Sequence, residues 1–384
     1  MAESEYSSLF ASMAVPFLSE PMTLEEILEE LEAIIGTCSW FYPAYLEQGI
    51  RLLANGHEQQ GTRKLDEGFW LMLKHCPQEQ LIHSIDHFLD GLEILWRYDL
   101  SHKYAQTLIE SYPDVGLIQD CLGYSAAMLN HFDQAARSTA AAVQLEPDNV
   151  HFASNHGWIH LIAGNLTEAE KALHRAKEIE PEDRIVLGNI EILEFLQEHG
   201  GTYTDYLLRF ADKEELERLA DEERWEEVDE LVEDYNSGRI EAMGMLAVRS
   251  AGSDLSKLSD RISTLKHFFG FVHKLENGIF LYDDIAFLDT YFKTIMHKFI
   301  FKFKDVDQEM VESIYAALLQ FYGFLAEHNV ITSSARDDFK SNILALQSEI
   351  LEKTRRYNAI RHDPSLHEPE KEALRDEILE GDHA

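Results

Sequence analysis

Hydrophobic residues recur at helical spacing along most of this chain. The segment LTEAEKALHRAKEIE (166–180) is representative, because its apolar side chains are three or four residues apart and would share one face of a helix. The residues on that face are Leu166, Ala169, Ala172, Leu173 and Ala176. The best strand-like run is the short segment FIFKF (299–303). The pattern therefore predicts an all-α protein.

A period of 34 residues relates two adjacent segments, 116–149 and 150–183. Four pairs of identical residues recur at this separation: Gly123 and Gly157, Ala135 and Ala169, Ala142 and Ala176, Pro147 and Pro181. Small residues suit the crossing of two antiparallel helices, and proline ends a helix because it lacks an N–H group. Each segment is thus predicted to form a helical hairpin that turns at Asn130 or Gly164. Such hairpins stack, since one pair of helices cannot bury its own apolar face.

The order Gly, Ala, Ala, Pro in a unit of 34 residues resembles the tetratricopeptide repeat (TPR) family. Residues 41–77 resemble a further unit whose small positions are all glycine, and residues 82–115 resemble one with Leu89 at a glycine position and Trp96 at the turn. Residues 184–199 resemble another first helix, and residues 223–235 resemble a lone second helix. The resemblance implies an α-solenoid of TPR-like helical hairpins, followed by an all-helical C-terminal domain.

The chain divides into four predicted regions. Residues 1–40 are an N-terminal extension or capping helix, residues 41–235 are the repeats, residues 239–360 are a helical C-terminal domain, and residues 361–384 are an acidic, mobile tail. The boundary between repeats and C-terminal domain is predicted at YNSG (235–238). Long helical patterns follow it at 254–275, 281–304, 307–328 and 333–358.

The strong negative charge excludes one broad class of function. The chain has 33 Lys and Arg against 70 Asp and Glu, a net charge of −37 over 384 residues. Nucleic-acid affinity depends on clustered basic side chains, so no nucleic-acid partner is expected. The aromatic segment 291–306 carries Lys293, Lys298, Lys302 and Lys304, but it is better interpreted as a core helix with lysines reaching outward than as a base-stacking surface.

The expected compartment is the cytoplasm. Cys38, Cys76 and Cys121 are odd in number and widely separated, which is typical of reduced thiols rather than of a disulfide framework. The first residues lack a basic region followed by an apolar run, as a secretory signal would require. No uncharged apolar stretch approaches 18 residues, so no membrane partner is expected.

No set of residues indicates catalysis, and we expect no enzyme activity and no cofactor. His156 and His160 have the spacing of a zinc pair, but the motif lacks the glutamate of a zinc protease, and no metal site is expected. A second polar stripe consists of His83, Asp86, His87 and Asp90. This stripe is compatible with a metal, with a cationic peptide or simply with a solvated helix face.

The TPR resemblance implies a peptide-binding surface on the inner face of the first helices. The residues expected there are Asp120, Tyr124, Met128, Asn155, Trp158, Ile162 and Asn189. Asn155 and Asn189 correspond to asparagines that hold a ligand's main chain in some family members. Members that capture acidic tails use Lys and Arg on this face, whereas Asp120, His151 and Ser154 stand at those places here. A basic or apolar segment therefore fits better.

The sequence thus predicts a non-catalytic scaffold that binds a peptide or a helix of a partner protein. The alternative is a structural protein whose groove is filled by its own C-terminal helices and which assembles with copies of itself, as a homo-oligomer. The partner itself is not encoded in any motif.

Overall fold

The computed structural model describes residues 22–250, 255–276, 279–303 and 306–380. Within these ranges the regular structure is helical and there is no β-strand, which confirms the predicted all-α class. The strand-like run FIFKF continues a helix as far as Lys302. None of the described helices has both the length and the apolar character needed to cross a bilayer.

Four consecutive helical hairpins form the first part of the chain. They are preceded by α1 (Leu24–Thr37) and followed by α10 (Arg184–His199) and α11 (Tyr203–Leu207). The hairpins are α2 (Tyr42–Ala54) with α3 (Glu58–His75), α4 (Gln78–Ile94) with α5 (Tyr98–Ser111), α6 (Gly116–Met128) with α7 (Phe132–Leu145), and α8 (Val150–Ile162) with α9 (Leu166–Ile179). Each of α2, α4, α6, α8 and α10 contacts the next member of that series. These first helices therefore make one layer of an α-solenoid of TPR-like hairpins, as predicted.

Each hairpin turns through one residue in the left-handed backbone region. These residues are Gly56 (φ 77°), Trp96 (φ 60°), Asn130 (φ 66°) and Gly164 (φ 75°). The last three are 34 residues apart, so the predicted period extends to the hairpin of α4 and α5. Glycine and asparagine enter this region readily, whereas a bulky residue such as Trp96 does so only when its surroundings hold it there.

Small residues allow the two helices of a hairpin to approach closely. A Cβ atom on Gly157 would lie 2.6 Å from Cδ2 of Leu173, and one on Gly123 would lie 3.1 Å from the carbonyl oxygen of Ala135. Ala135 and Ala169 are completely buried. The crossings are therefore where the repeat pattern predicts them.

The repeat ends also position the helix that follows. In PDN (147–149) and PED (181–183), the last residue caps the next first helix, because the side chain of Asn149 accepts from the N–H of Phe152 and that of Asp183 accepts from the N–H of Val186. Such caps satisfy N–H groups that have no partner within the helix. The first helices α8 and α10 thus begin at equivalent repeat positions.

The remaining helices belong mainly to a second compact unit. They are α12 (Lys213–Asp221), α13 (Trp225–Arg249), α14 (Leu258–Glu276), α15 (Ile285–Lys302), α16 (Gln308–Glu327), α17 (Ser333–Arg361) and α18 (Glu368–Glu380), with a short 3-10 turn at Leu255–Lys257 before α14. Contacts group Thr204–Met243 with Arg261–Ala384 in this unit, and Gly244–Asp260 with the chain up to Tyr203 in the first. Both units therefore contain separate stretches of sequence.

Residues 235–238, where the sequence analysis placed a domain boundary, lie inside α13. Gly238 does not end this helix. It lets the backbone of α13 approach α11, because a Cβ atom there would lie 2.7 Å from the carbonyl oxygen of Leu207. The neighbouring Asn236 is buried and donates to the carbonyl of Phe280 at 2.9 Å. Close packing thus explains a Ser-Gly pair that resembles a turn.

The second unit has an aromatic core that includes the lysine-bearing segment. Phe292 and Phe299 of α15 are completely buried, whereas Lys298 is exposed and Lys293 pairs with Glu349 at 3.0 Å. Lys304 lies outside the described residues. In the tail, α18 buries Ile378.

Candidate functional site

Hydrogen bonds between consecutive first helices connect the polar residues predicted for the inner face. Nδ2 of Asn155 donates to Oδ2 of Asp120 at 2.7 Å, which links α8 to α6. Nδ2 of Asn189 donates to Oγ of Ser154 at 3.2 Å, which links α10 to α8. Both bonds join residues 35 apart in sequence, so they are equivalent bonds in successive repeats. The repeat register therefore brings these four residues together on one layer of helices.

Beside these bonds lies a row of aromatic rings. Tyr124 and Trp158 stack with their centroids 5.1 Å apart and their planes 25° apart. On one side Tyr98 lies 5.9 Å from Tyr124, and on the other Tyr203 lies edge-on to Trp158 at 6.1 Å. Trp158 is half-buried and also packs on the apolar cluster around Ala127 and Ile159. The row is therefore both part of the helix packing and part of the inner face.

Met128 and Ile162 pack within the hairpins and offer little surface to solvent. Met128 is buried, and Ile162 is half-buried against the same apolar cluster as Trp158. The end of α6 is also contacted by Arg249, which donates to the carbonyl oxygens of Ala127 at 3.1 Å and of Met128 at 3.3 Å. The guanidinium of Arg249 lies over the ring of Phe132. The chain's own α13 thus occupies this end of the hairpin.

A group of four carboxyl groups occupies the neighbouring part of the layer. Asp86, Asp90 and Glu93 come from α4, and Asp120 comes from α6. Asp90 is exposed and Asp86 is half-buried, while only 3% of Asp120 is accessible to solvent. The group therefore deepens from an exposed rim to a buried base. We call it the acidic site.

Burial, together with repulsion from nearby carboxylates, makes Asp120 and Glu93 hold their protons unusually tightly. Burial raises the pKa of Asp120 to about 7, the hydrogen bond from Asn155 opposes this rise, and the charge of Asp86 adds to it. Burial also raises the pKa of Glu93 to about 8, against a hydrogen bond from Ser101 and with the charges of Asp90, Asp120 and Asp86. Near neutral pH the acidic site thus binds protons that ordinary carboxylates would have released.

The thiol of Cys121 and the imidazole of His156 are both uncharged near neutral pH. Burial, reinforced by the four carboxyl groups, raises the pKa of the Cys121 thiol well above its usual value. Burial and the neighbouring His160 lower the pKa of His156 to about 4, and His156 hydrogen-bonds through Nδ1 with Thr139 at 2.8 Å. Both groups are therefore neutral near pH 7. The described residues contain no group of three or more His, Cys, Asp or Glu side chains placed to hold a metal ion.

Several inner-face residues were not predicted from the sequence. Glu93 is one repeat before Ala127 and two before Leu161, so a carboxyl group stands in a column that is otherwise apolar and buried. That mismatch is the signal by which it could have been found. Tyr98 begins the second helix α5 at the position that Phe132 has in α7, so the repeat pattern keeps an aromatic residue there but does not indicate its contact with Tyr124. Tyr203 lies outside the hairpins, so comparison of the repeats could not select it.

Comparison with known proteins gives similarity to solved structures only. No model of a known protein family matches the chain, and no curated protein matches it. Among solved structures, the TPR domain of P58(IPK) is similar over 85% of this chain and 84% of its own, at 13% sequence identity and a TM-score of 0.24. The relation to TPR proteins is therefore carried by the chain's own hairpins, left-handed turns and 34-residue period. By these features the protein is an α-solenoid of TPR-like helical hairpins.

Proposed function

We propose that this protein is a non-catalytic interaction scaffold that binds a segment of a partner protein along the inner layer of its first helices. The observation that carries the proposal is the buried Asp120, which accepts from Asn155 through Oδ2 while no described residue donates to its Oδ1 atom. A buried acceptor without a donor costs free energy, and a ligand that donates to it recovers that cost. The surrounding aromatic rings and amides supply the other contacts that a peptide needs.

The main alternative is that this layer is a structural surface filled from within the chain. Arg249 on the carbonyl groups at the end of α6 favours this alternative at the Met128 end. The acidic site and Asn155 lie elsewhere on the layer, and their side-chain hydrogen bonds are to residues of the hairpins themselves. The proposed binding surface is therefore the part of the layer formed by Asp86, Asp120, Asn155 and Trp158.

A steric block tests where peptides bind. Short random peptides displayed on phage would be selected on the full chain, and their affinity measured by fluorescence polarisation. His151 is exposed and its Nε2 atom lies 3.7 Å from Asp120 and 3.1 Å from Nδ2 of Asn155, so His151→Trp adds bulk over the surface and removes only these imidazole contacts. We expect it to weaken binding by about tenfold or more, because it excludes the ligand from its contacts.

Arg137→Trp is the matched control, since Arg137 is exposed on the second helix α7. It should leave peptide affinity unchanged. Failure to select any peptide, together with concentration-dependent self-association in sedimentation experiments, would favour the structural alternative. Equal losses for both variants would also contradict the proposed surface.

A further inference from the structure

We propose that the acidic site, formed by Asp86, Asp90, Glu93 and Asp120, is a recognition pocket for a lysine or arginine side chain of a partner protein. The inference rests on the proposed function, since it names the chemistry of the ligand that the inner layer would take. It makes a basic residue the anchor of the bound segment.

One oxygen atom at the base of the acidic site lacks a hydrogen-bond donor. Only 3% of Asp120 is accessible to solvent, and its Oδ1 atom is completely buried. Oδ1 nevertheless accepts no hydrogen bond from a described residue. Nearly all buried polar atoms in folded proteins have a partner. Oδ2 of the same carboxyl is held in place by Asn155, so the orientation of the free oxygen is fixed. A ligand donor that reaches this oxygen, after the groups that cover it move aside, would complete the set.

The acidic site carries carboxyl groups without a matching basic side chain. The charge of Asp86 acts on Asp120, and the only ion-pair partner of Asp120 among the described residues is His151, whose Nε2 lies 3.7 Å from Oδ2. In the described part of the chain, no Lys or Arg forms an ion pair with Asp86, Asp90, Glu93 or Asp120. Elsewhere, buried or half-buried acids do find such partners, as Asp283 does with Arg239 at 2.8 Å. The acidic site therefore lacks the cation that a buried carboxylate ordinarily has.

The spacing of the carboxyl groups favours a basic side chain over a metal ion as the ligand. A metal needs several ligands converging at short distance, and the described residues contain no such group of three. A guanidinium or ammonium group carries several donors at the end of a flexible stem and tolerates wider spacing between acceptors. The exposed Asp90 at the rim and the buried Asp120 at the base suit a long side chain entering end-on. Its apolar stem would then lie beside Tyr124 and Trp158.

The raised pKa values of Asp120 and Glu93 add a consequence that can be measured. A cation that enters the site stabilises the ionised carboxylates, so binding lowers both pKa values and releases protons near pH 7. The other ionisable groups that act on the site are Asp86, Asp90, His87, His151 and Cys121. Binding of an uncharged apolar segment would release no protons.

A double-mutant cycle tests the pocket on the full chain. The probe is the tightest peptide from the phage selection, made with its basic residue and with norleucine in its place. In the protein, Asp86→Asn with Asp120→Asn removes two charges while keeping side-chain shape and the acceptor for Asn155. Glu214→Gln with Glu217→Gln removes two charges from the exposed face of α12 and is the matched control.

We expect norleucine to weaken binding to the wild type by about tenfold or more, but to have little further effect on the Asp86/Asp120 variant. Calorimetry in buffers of different ionisation enthalpy should show proton release with the basic peptide alone. Selected peptides that bind more weakly to His151→Trp but contain no basic residue would contradict the proposed pocket and leave the proposed function standing. Equal losses of affinity in both charge variants would have the same meaning. Failure to select any peptide would contradict both.

Discussion

At the scale of single residues, Asp120 combines features that rarely occur together. It is buried, the negative charge of Asp86 acts on its carboxyl, and one of its oxygen atoms has no donor among the described residues. A residue in this state destabilises the folded chain when it is ionised, because the native structure holds the proton more tightly than the unfolded chain does. The acidic site is thus maintained at a cost in stability.

This cost predicts a pH dependence of folding. The pKa of Asp120 is about 7 in the native state, whereas an unfolded aspartate has a pKa of about 4. The contribution of protonated Asp120 to the free energy of unfolding is fully present below about pH 4, and it is lost as the pH rises through about 7. We therefore expect Asp120→Asn to raise the melting temperature relative to wild type, by more at about pH 8 than at about pH 5.

Asp114→Asn controls for the loss of one negative charge, because Asp114 is exposed. Its effect on the melting temperature should not grow over the same pH range. If Asp120→Asn and Asp114→Asn behaved alike, Asp120 would not be the source of the pH dependence.

At the scale of helices, the hairpins depend on small side chains at their crossings. Ala135 is completely buried against α6, so Ala135→Leu forces a larger side chain into a space that the backbone of Gly123 fills. We expect unfolding in urea to show a loss of about 1–3 kcal/mol. Arg137→Leu, two residues further on α7 and exposed, should change stability little. Equal losses at the two positions would contradict the packing of the hairpin.

A second helix-scale contact explains an unusual turn. Trp96 adopts the left-handed backbone conformation, and its indole ring lies so close to Gly244 of α13 that a Cβ atom there would overlap it. The packing of the ring on Gly244 holds the tryptophan in a conformation that costs on the order of 1–3 kcal/mol. The turn of the hairpin of α4 and α5 thus depends on a residue far away in sequence.

Substitution of Gly244 should therefore oppose the ordinary preference of helices for alanine. In an open helical position, Gly→Ala stabilises by about 1 kcal/mol. Gly188→Ala in α10 is such a position, since no atom lies within 4 Å of the added Cβ. We expect Gly188→Ala to raise the melting temperature and Gly244→Ala to lower it. A rise in both variants would exclude the contact with Trp96.

The sequence predicts the local and periodic parts of this structure well. The 34-residue period places the turns at Trp96, Asn130 and Gly164, because each hairpin repeats the same local packing. It also places Asp120 and Asn155 on the same layer, although not their hydrogen bond. The contacts of Gly244 and Arg249 were not predictable, since they join residues more than a hundred positions apart that have no periodic relation. For the same reason Ser237 and Gly238 were interpreted as a boundary.

At the scale of the whole molecule, the net charge of −37 produces strong self-repulsion. Salt screens repulsion between exposed charges that lie more than about 10 Å apart at an ionic strength of about 0.1 M, and unscreened repulsion favours the expanded, unfolded chain. We expect the melting temperature to rise when sodium chloride is added to a low-salt buffer. Sucrose at matched osmolality is the control for solvent effects other than screening. A fall in melting temperature with salt would mean that surface ion pairs outweigh the repulsion.

The route of the chain between its two compact units limits how the protein can be divided. The backbone passes from one unit to the other after Tyr203, after Met243 and after Asp260, so the stretch Gly244–Asp260 completes the hairpins from a distant part of the sequence. A fragment that ended at Tyr203 would contain every hairpin but would lack the residues that pack on Trp96 and on the end of α6. Gene truncation at that point would therefore yield an incomplete module. A single cut in the gene therefore cannot separate the two compact units.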